Sequence, residues 1–213
     1  LTAPNTMATA ADVHAALSER AANEEWGSIV AYCEDYELDM RHLLGGSVDV
    51  SLGVYKVHLL AHLLLEQLDL ARFLWRRLPD PMREEAELQA IWKVGAQMWH
   101  GDHAGAQAAL GAFQWSSALV ATLTSSLQRQ TLEKSFLALG KAYSSITPET
   151  LAGKLGVEVS TVQELANAHS WATDISTGAF KPAKVELHAA DLPRTDVLQQ
   201  LTHFVAQLER ELK

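Results

Sequence analysis

The residues of this chain best suited to chemistry are its histidines and its single cysteine. His58 and His62 lie four positions apart, a spacing that places both side chains on one face of a helix, as in many pairs of metal ligands. The residues between them are Leu-Leu-Ala, and no carboxylate accompanies the pair. Because a metal site needs further ligands, the pattern favours two core or partly buried histidines over a metal site.

Cys33 cannot form a disulfide within the chain, and one cysteine excludes a zinc site built from several. It continues an apolar helical face with Trp26, Ile29 and Val30 at three- and four-residue spacing. The two residues that follow it are acidic, which opposes formation of a reactive thiolate. We therefore predict a small, inert core residue at this position.

No other local motif indicates catalysis. The chain has no GxSxG elbow, P-loop, dinucleotide fingerprint or HExxH pair. His100 and His103 flank a Gly-Asp turn, where hydrogen bonding to the nearby backbone is a simpler explanation than a metal. The sequence predicts a protein that is not an enzyme, with no catalytic residues, no metal and no cofactor.

Composition and charge limit the possible partners. The chain has 213 residues, of which 48% are apolar, and a net charge of -9. Residues 1–112 carry 8 basic and 16 acidic side chains, which gives -8, whereas residues 113–213 carry 9 and 10, which gives -1. The longest apolar run, at 57–65, is too short to span a membrane. A globular protein with neither nucleic acid nor membrane as partner is expected.

The elements that position these residues are helical in the first half of the chain. Apolar residues recur at three- and four-residue steps from Ala11 to Ala112. Asp69 and Asp102 lie 33 residues apart, each in a turn between a long apolar helix and a short one. This spacing suits tetratricopeptide-like helix pairs, so we predict a right-handed helical-repeat domain at residues 8–112. The core of this domain should include Trp75, Trp92 and Trp99, which lie on apolar helix faces.

A different pattern begins at residue 113. Ser116 is predicted to cap a helix extending through Leu127, and a second helix follows from Leu132 to Tyr143. Pro193 and a possible cap at Thr195 precede a last helix.

The stretch between these helices has the pattern of a winged helix. Thr147-Pro148 begins a short helix that Gly156 ends, and Ser160 is predicted to cap the next one, with Val157 and Val159 directed inward. The period then changes to two, in 171–175 and again in 184–187, as in a β-hairpin wing. We assign residues 113–190 to a winged-helix subdomain.

The second helix of this motif bears on nucleic-acid binding, because it enters the major groove in many winged-helix proteins. Its outward positions contain no Lys or Arg, and the wing supplies only Lys181 and Lys184. The outward positions are Thr161, Gln163, Glu164, Asn167 and His169. A protein-interaction module is favoured, and a winged-helix nucleic-acid binder remains an alternative.

Residues 191–213 form the last predicted unit, a helix with a coiled-coil pattern. Leucine and valine alternate there at three- and four-residue steps, as in a and d positions. The residues concerned are Leu198, Leu201, Val205, Leu208 and Leu212. This helix either packs on its own domain or docks on a partner helix.

Several stretches together resemble a known family. They are ARFLWRRLP at 71–79, IWKVGAQMWHGD at 91–102, QWS at 114–116, AYSSI at 142–146 and LTHFVAQL at 201–208. In order and type they are similar to the PCI-domain family, named for the proteasome lid, the COP-nine signalosome and translation initiation factor three, and within it to the signalosome subunit 8 family. The resemblance extends from about residue 54 to the C-terminus, whereas the first 50 residues match poorly.

The resemblance implies a mainly α fold: a TPR-like array, a winged-helix subdomain with a small β-hairpin wing, and a C-terminal helix. It implies a non-catalytic scaffold subunit, in cytoplasm and nucleus, of a complex that removes the ubiquitin-like modifier NEDD from cullins and so regulates cullin-RING ubiquitin ligases. The alternative is a PCI subunit of the proteasome lid or of initiation factor three. The chain starts at Leu1, and we expect the native start at Met7.

The resemblance also implies where other signalosome subunits bind in a hetero-oligomer. Winged-helix edges pair laterally in PCI assemblies, which places Val185 and Leu187 at or near that contact. C-terminal helices gather in a bundle, which Leu198, Leu201, Val205 and Leu208 would face.

Overall fold

A computed structural model describes residues 10–42, 48–174 and 178–183, and their side chains except those of residues 10, 39–42 and 48–51. This part of the chain is mainly helical. Its helices are α1 (Ala10–Ala22), α2 (Trp26–His42), α3 (Val48–Leu64), α4 (Leu68–Arg77), α5 (Asp80–Arg83), α6 (Ala86–Trp99), α7 (His103–Ala112), α8 (Ala118–Ala142), α9 (Pro148–Leu155) and α10 (Val159–Ala168). Two short strands follow, β1 (Ala172–Thr173) and β2 (Phe180–Lys181). Within these residues, no helix combines the length and apolarity needed to cross a membrane.

Local capping explains several helix boundaries. The Glu85 side chain accepts a hydrogen bond from the Leu88 amide (2.7 Å) at the start of α6, and Asp102 accepts one from the Gly105 amide (2.9 Å) at the start of α7. Between these helices, Gly101 has a φ of 72°, a conformation that favours glycine. The α6–α7 turn is therefore specified by its own residues.

The two prolines after α4 act differently from each other. Leu78 is the C-cap of α4, and Pro79 follows it as the N-cap of α5. Pro81 lies in the first turn of the short α5, where its missing amide costs no helical hydrogen bond.

The first and larger core is formed by helices α1, α2, α3, α4, α6 and α7 and by the first half of α8. Its members are buried apolar side chains, among them Ile29, Cys33, Leu60, Leu88, Ile91 and Leu123. The predicted apolar face of α2 is thus confirmed. Trp75 and Trp92 stack at its edge, with ring centroids 5.1 Å apart. The prediction of a core position for Trp99 is wrong: it is the last residue of α6 and its side chain is 49% exposed.

The pairs α3/α4 and α6/α7 each consist of a longer helix followed by a ten-residue helix. Their two aspartates do not occupy equivalent positions, however. Asp102 is the N-cap of α7, whereas the N-cap of α4 is Gln67, and Asp69 lies in the first turn. The assignment to right-handed TPR-like repeats stays a prediction.

A single 25-residue helix, α8, replaces the two helices predicted between residues 116 and 143. The predicted break lies at Gln128-Arg129-Gln130-Thr131, which contains neither Gly nor Pro. The apolar pattern changes there because the first half of α8 lines the larger core, whereas Phe136 lies in a second one. The predicted cap is also wrong: Ser117 is the N-cap of α8.

The second core lies between the end of α8, α9, α10 and the strands. Thr147 caps α9, Pro148 is its first residue and Gly156 ends it in the left-handed conformation, all as predicted. Two details of α10 differ from the prediction. Its N-cap is Glu158, so Ser160 lies inside the helix, and Val159 at the first position is 36% exposed instead of directed inward.

The strands form a small antiparallel sheet in which Ala172 pairs with Lys181 and Thr173 with Phe180. Phe180 also exchanges two backbone hydrogen bonds with Ile146, of 2.8 and 3.0 Å, which ties the sheet to the residues before α9. The strand observed at 180–181 was not predicted, and the one predicted at 184–187 lies outside the described residues. The winged-helix and domain-boundary assignments remain predictions.

Candidate interaction surfaces

The predicted contact residues lie after the end of the described chain. Val185 and Leu187 for the lateral contact, and Leu198, Leu201, Val205 and Leu208 for the helix bundle, all fall in 184–213, outside the described residues. Their roles stay predictions. The described structure instead establishes how the unit that precedes them is held.

A glycine joins this unit to the helical array. Gly156, in the turn between α9 and α10, has a φ of 71° and lies against α7. A Cβ atom at this position would lie 2.8 Å from both the Cα and the carbonyl oxygen of Ala104. Because both neighbours are backbone atoms, only glycine permits α9 to approach α7 this closely. We call this contact the Gly156 junction.

An aromatic stack holds the strands on the second half of α8. The rings of Phe136 and Trp171 lie 4.1 Å apart, and His169 contacts the same phenylalanine at 5.2 Å. A Cβ at Gly140, one turn further along α8, would lie 2.6 Å from the Trp171 ring. Trp171 thereby anchors β1, which follows it, on α8. Together with the Gly156 junction, the stack fixes the place from which the chain continues to residue 184.

A buried polar network fixes the loop between α7 and α8. Glu87, 3% exposed, accepts hydrogen bonds from the backbone amide of Ser116 (2.8 Å) and from its hydroxyl (2.7 Å). Lys56 on α3 contacts the same carboxylate at 2.5 Å and Glu85 at 2.9 Å. We call these four residues the Glu87 network. Ser116, predicted as a helix cap, thus binds a carboxylate 29 residues earlier in the chain.

The charges of the Glu87 network stabilise each other. Burial alone would raise the pKa of Glu87, but the hydrogen bonds from Lys56 and Ser116 outweigh burial and hold that pKa below its usual range. Burial likewise lowers the pKa of Lys56, yet its bonds to Glu87 and Glu85 outweigh this effect and raise it. Both groups are therefore charged near neutral pH, and the network joins α3, α6 and the start of α8.

The two histidines of α3 are buried, as predicted, with ring centroids 4.6 Å apart. A carboxylate does accompany them, which local sequence did not reveal: Glu37 Oε1 on α2 lies 3.1 Å from His58 Nδ1. Arg77 contacts Glu37 at 2.6 Å, and Gln67 Oε1 lies 3.0 Å from His62 Nδ1. In the part of the chain that the structure describes, no three His, Cys, Asp or Glu side chains are grouped to hold a metal ion.

The surroundings of these side chains govern their ionisation. Burial raises the pKa of Glu37, but the hydrogen bond with His58 and the charge of Arg77 outweigh it, so the carboxyl pKa lies below its ordinary value. Burial lowers the pKa of His62, which therefore favours its neutral form. Burial, reinforced by Glu37 and Glu34, raises the pKa of Cys33 to about 12. The predicted inert thiol is confirmed.

The surface of α10 offers few groups that would attract phosphate. Gln163, Glu164 and Asn167 are exposed on it, whereas Thr161 and His169 are partly buried. In β2, Lys181 lies 2.8 Å from Asp174, which offsets its charge. Lys184 lies outside the described residues. This surface gives the nucleic-acid alternative no direct support.

Comparison with known proteins connects this architecture to characterised relatives. The chain is 32% identical to COP9 signalosome complex subunit 8 of Danio rerio over 158 residues, which cover 73% of this chain and 82% of that protein. It is 31% identical to the Xenopus laevis protein of the same name, over 83% of this chain and 89% of that protein. The Arabidopsis thaliana protein of this name is 29% identical over 73% of this chain and 79% of its own length.

A family model described as the CSN8/PSMD8/EIF3K family matches residues 50–190. This range contains α3 from its third residue, α4 to α10 and both strands, and therefore the Glu87 network and the Gly156 junction. The resemblance inferred from the sequence motifs is confirmed by these relatives. The chain belongs to the CSN8/PSMD8/EIF3K family.

Proposed function

We propose that this protein is a non-catalytic scaffold subunit of a COP9 signalosome, a complex that deneddylates cullins and so regulates cullin-RING ubiquitin ligases. The observation that carries the proposal is the 29–32% identity to proteins named COP9 signalosome complex subunit 8 over 73–83% of the chain. The geometry is compatible with this role, because the described buried polar clusters are engaged in holding helices together. They present no nucleophile with a paired base.

The assembly contacts of this subunit are formed by its C-terminal part. A winged-helix subdomain would pair laterally through Val185 and Leu187, and the last helix would enter a bundle through Leu198, Leu201, Val205 and Leu208. The firm attachment of α9, α10 and the strands to the array supports this proposal. Contacts made beyond Ala183 would thereby be transmitted to a rigid body. We place the assembled protein in cytoplasm and nucleus, which imaging of a tagged full-length chain tests.

The decisive experiment is purification of the signalosome through another subunit, with this chain as wild type or variant. Removal of residues 195–213, or the full-length double variant Leu198→Asp/Leu201→Asp, is expected to abolish incorporation, since each aspartate would be buried in the bundle. The matched control is Gln199→Asp/Gln200→Asp, which adds the same charge off the predicted apolar stripe. Undiminished co-purification of the truncated chain would rule out this role for the last helix.

The family description also names PSMD8 and EIF3K, so a place in the proteasome lid or in translation initiation factor three is a second candidate. Mass spectrometry of the native complex separates the two. Signalosome subunits should co-purify in stoichiometric amounts, whereas a preponderance of lid or initiation-factor subunits would favour the second candidate.

A further inference from the structure

Helices α4 and α6 expose three large apolar side chains on one part of the surface. Phe73 is 62% exposed, Leu70 47% and Trp99 49%. Leu70 and Phe73 lie three positions apart and therefore on one side of α4, and Arg72, next to Phe73 in the chain, places its guanidinium carbon 5.7 Å from the centre of the Trp99 ring. Single exposed apolar residues are ordinary, whereas a cluster of this kind marks an interaction site. With Arg76 added, we call these five residues the α4–α6 face.

A groove adjoins the face and provides space for a partner's side chain. Its volume is about 220 Å³, and apolar residues form most of its wall. The lining includes Leu63, Leu68, Ala71, Trp92, Gly95 and Trp99. Gly95 keeps the floor open to Leu63, since a Cβ there would lie 3.1 Å from the leucine Cδ2. A groove of this size takes an apolar side chain more readily than a cofactor, which needs roughly 300 Å³ or more.

The charge of the face is opposite to that of the chain around it. Helix α4 carries three arginines and one acidic residue, Asp69, whereas residues 1–112 have a net charge of -8. Arg77 is paired with Glu37. Arg72 and Arg76 are exposed and form no ion pair with any residue that the structure describes. Exposed arginine beside tryptophan and phenylalanine is the composition of interface hot spots.

We infer that the α4–α6 face binds a short, acidic, amphipathic helix of a partner protein. One or two apolar side chains of that helix enter the groove and cover Phe73, while its carboxylates lie over Arg72 and Arg76. A second copy of this chain is a poorer occupant. In a symmetric dimer the same patch meets itself, which would oppose the arginines of the two copies. The face contains none of residues 184–213, so this inference does not rest on the contacts proposed for the C-terminal part.

The test is fluorescence anisotropy with the full-length chain and two synthetic 15-residue peptides. Both carry leucines at i, i+3, i+4 and i+7; the remaining positions of one are mostly Glu and those of the other mostly Lys. We expect the acidic peptide to bind, more weakly at higher salt, and the basic peptide not to bind. Phe73→Ala should weaken binding by about tenfold or more, and Arg72→Glu/Arg76→Glu should abolish it. All three residues are exposed, so the fold is retained.

Matched controls lie on α8, which contributes no residue to the face or to the lining of the groove. Leu137→Ala removes an apolar side chain that is 37% exposed, and Lys141→Glu reverses an exposed charge. Both should leave the affinity within about twofold of wild type. Equal binding of the two peptides, or unchanged affinity in the Phe73 and arginine variants, overturns the inference. The inference is also overturned if sedimentation detects a dimer of the wild-type chain and Phe73→Ala abolishes that dimer. The occupant of the face would then be a second copy of the chain.

The outcome is separable from that of the signalosome experiment. Leu198→Asp/Leu201→Asp should leave the peptide affinity unchanged, since those residues belong to the proposed bundle helix. A loss of peptide binding in that variant would contradict the assignment of the site to α4 and α6.

Discussion

The two hydrophobic cores of this protein are stabilised in different ways. The larger core contains buried charge: the Glu87 network, and Glu37 with His58 and Arg77. The second core, around Phe136, is formed by apolar side chains, and none of the described ion pairs lies within it. The helical array is therefore sensitive to changes in charge. The unit formed by α9, α10 and the strands is sensitive to changes in shape.

Helix α8 makes this comparison experimentally accessible because it belongs to both cores. Leu119, Val120, Leu123 and Leu127 contribute to the first, and Phe136 to the second. A substitution in one half of α8 perturbs one core, and the other half of the same helix serves for comparison. The effect on one core can therefore be measured with the other core as an internal reference.

The largest effect is expected from Phe136→Ala. This side chain is fully buried and stacks on Trp171, so its removal leaves a large cavity and should lower the free energy of unfolding by about 3–5 kcal/mol. Urea unfolding measures the loss, and hydrogen exchange should show lost protection in α9 and α10 before α3 and α6. Leu137→Ala, next to it but 37% exposed, should cost less than about 1 kcal/mol. Equal loss of protection in both cores would contradict their separation.

Glu87→Ala should destabilise the larger core by about 2–4 kcal/mol. It leaves Lys56 with Glu85 alone and deprives the Ser116 amide and hydroxyl of their acceptor. The measurement is chemical unfolding, with hydrogen exchange at residues 113–117 as a local readout. Glu84→Ala is the control, because its side chain is exposed and adjoins the same helix start. If both variants unfold at the same urea concentration, the Glu87 network does not contribute to stability.

Gly156→Ala should cost about 2–4 kcal/mol, since it combines a left-handed backbone with a Cβ in contact with Ala104. The same substitution at Gly153, three residues earlier in α9, meets nothing within 4 Å and should stabilise the helix by about 0.5–1 kcal/mol. Thermal unfolding distinguishes the two. Opposite signs would confirm that the Gly156 junction requires glycine, and equal signs would refute it.

Features that depend on neighbouring residues were predictable from the sequence. Thr147, Pro148 and Gly156 define the ends of α9 through contacts within ten positions, and all three were assigned correctly. The apolar spacing of Ile29 and Cys33 identified the buried face of α2 for the same reason. Periodicity and capping are local, so a single sequence reveals them.

Features that depend on distant contacts were not predictable. Ser116 has the residue type of a helix cap, but its partner Glu87 comes from another helix. His58 has no carboxylate nearby in sequence, and Glu37 reaches it from α2. Trp99 continues an apolar face that ends before its side chain reaches the core. In each case tertiary packing decided between alternatives that the local pattern left equivalent.

The smallest predicted effect concerns pH and again separates the cores. The pKa of His62 is lowered in the folded state, so folding favours the neutral ring and stability should fall as the pH drops below the ordinary value of 6.5. Glu37 and Glu87 also have lowered pKa values; the stability they contribute is present above the ordinary value of 4.5 and lost as the pH falls further. Acidification should therefore open the larger core first.

The measurement is urea unfolding between pH 7.5 and 5.5 for wild type, His62→Gln and His14→Gln. The first decrease should disappear in His62→Gln, because the side chain whose pKa is lowered by burial is then absent. His14 is exposed, so the His14→Gln variant should keep the decrease. Hydrogen exchange at pH 5.5 should show earlier loss of protection in α3 than in α9, since α9 packs in the core that lacks described buried ion pairs. Uniform loss in both helices would assign the decrease to another group and remove ionisation as a difference between the two cores.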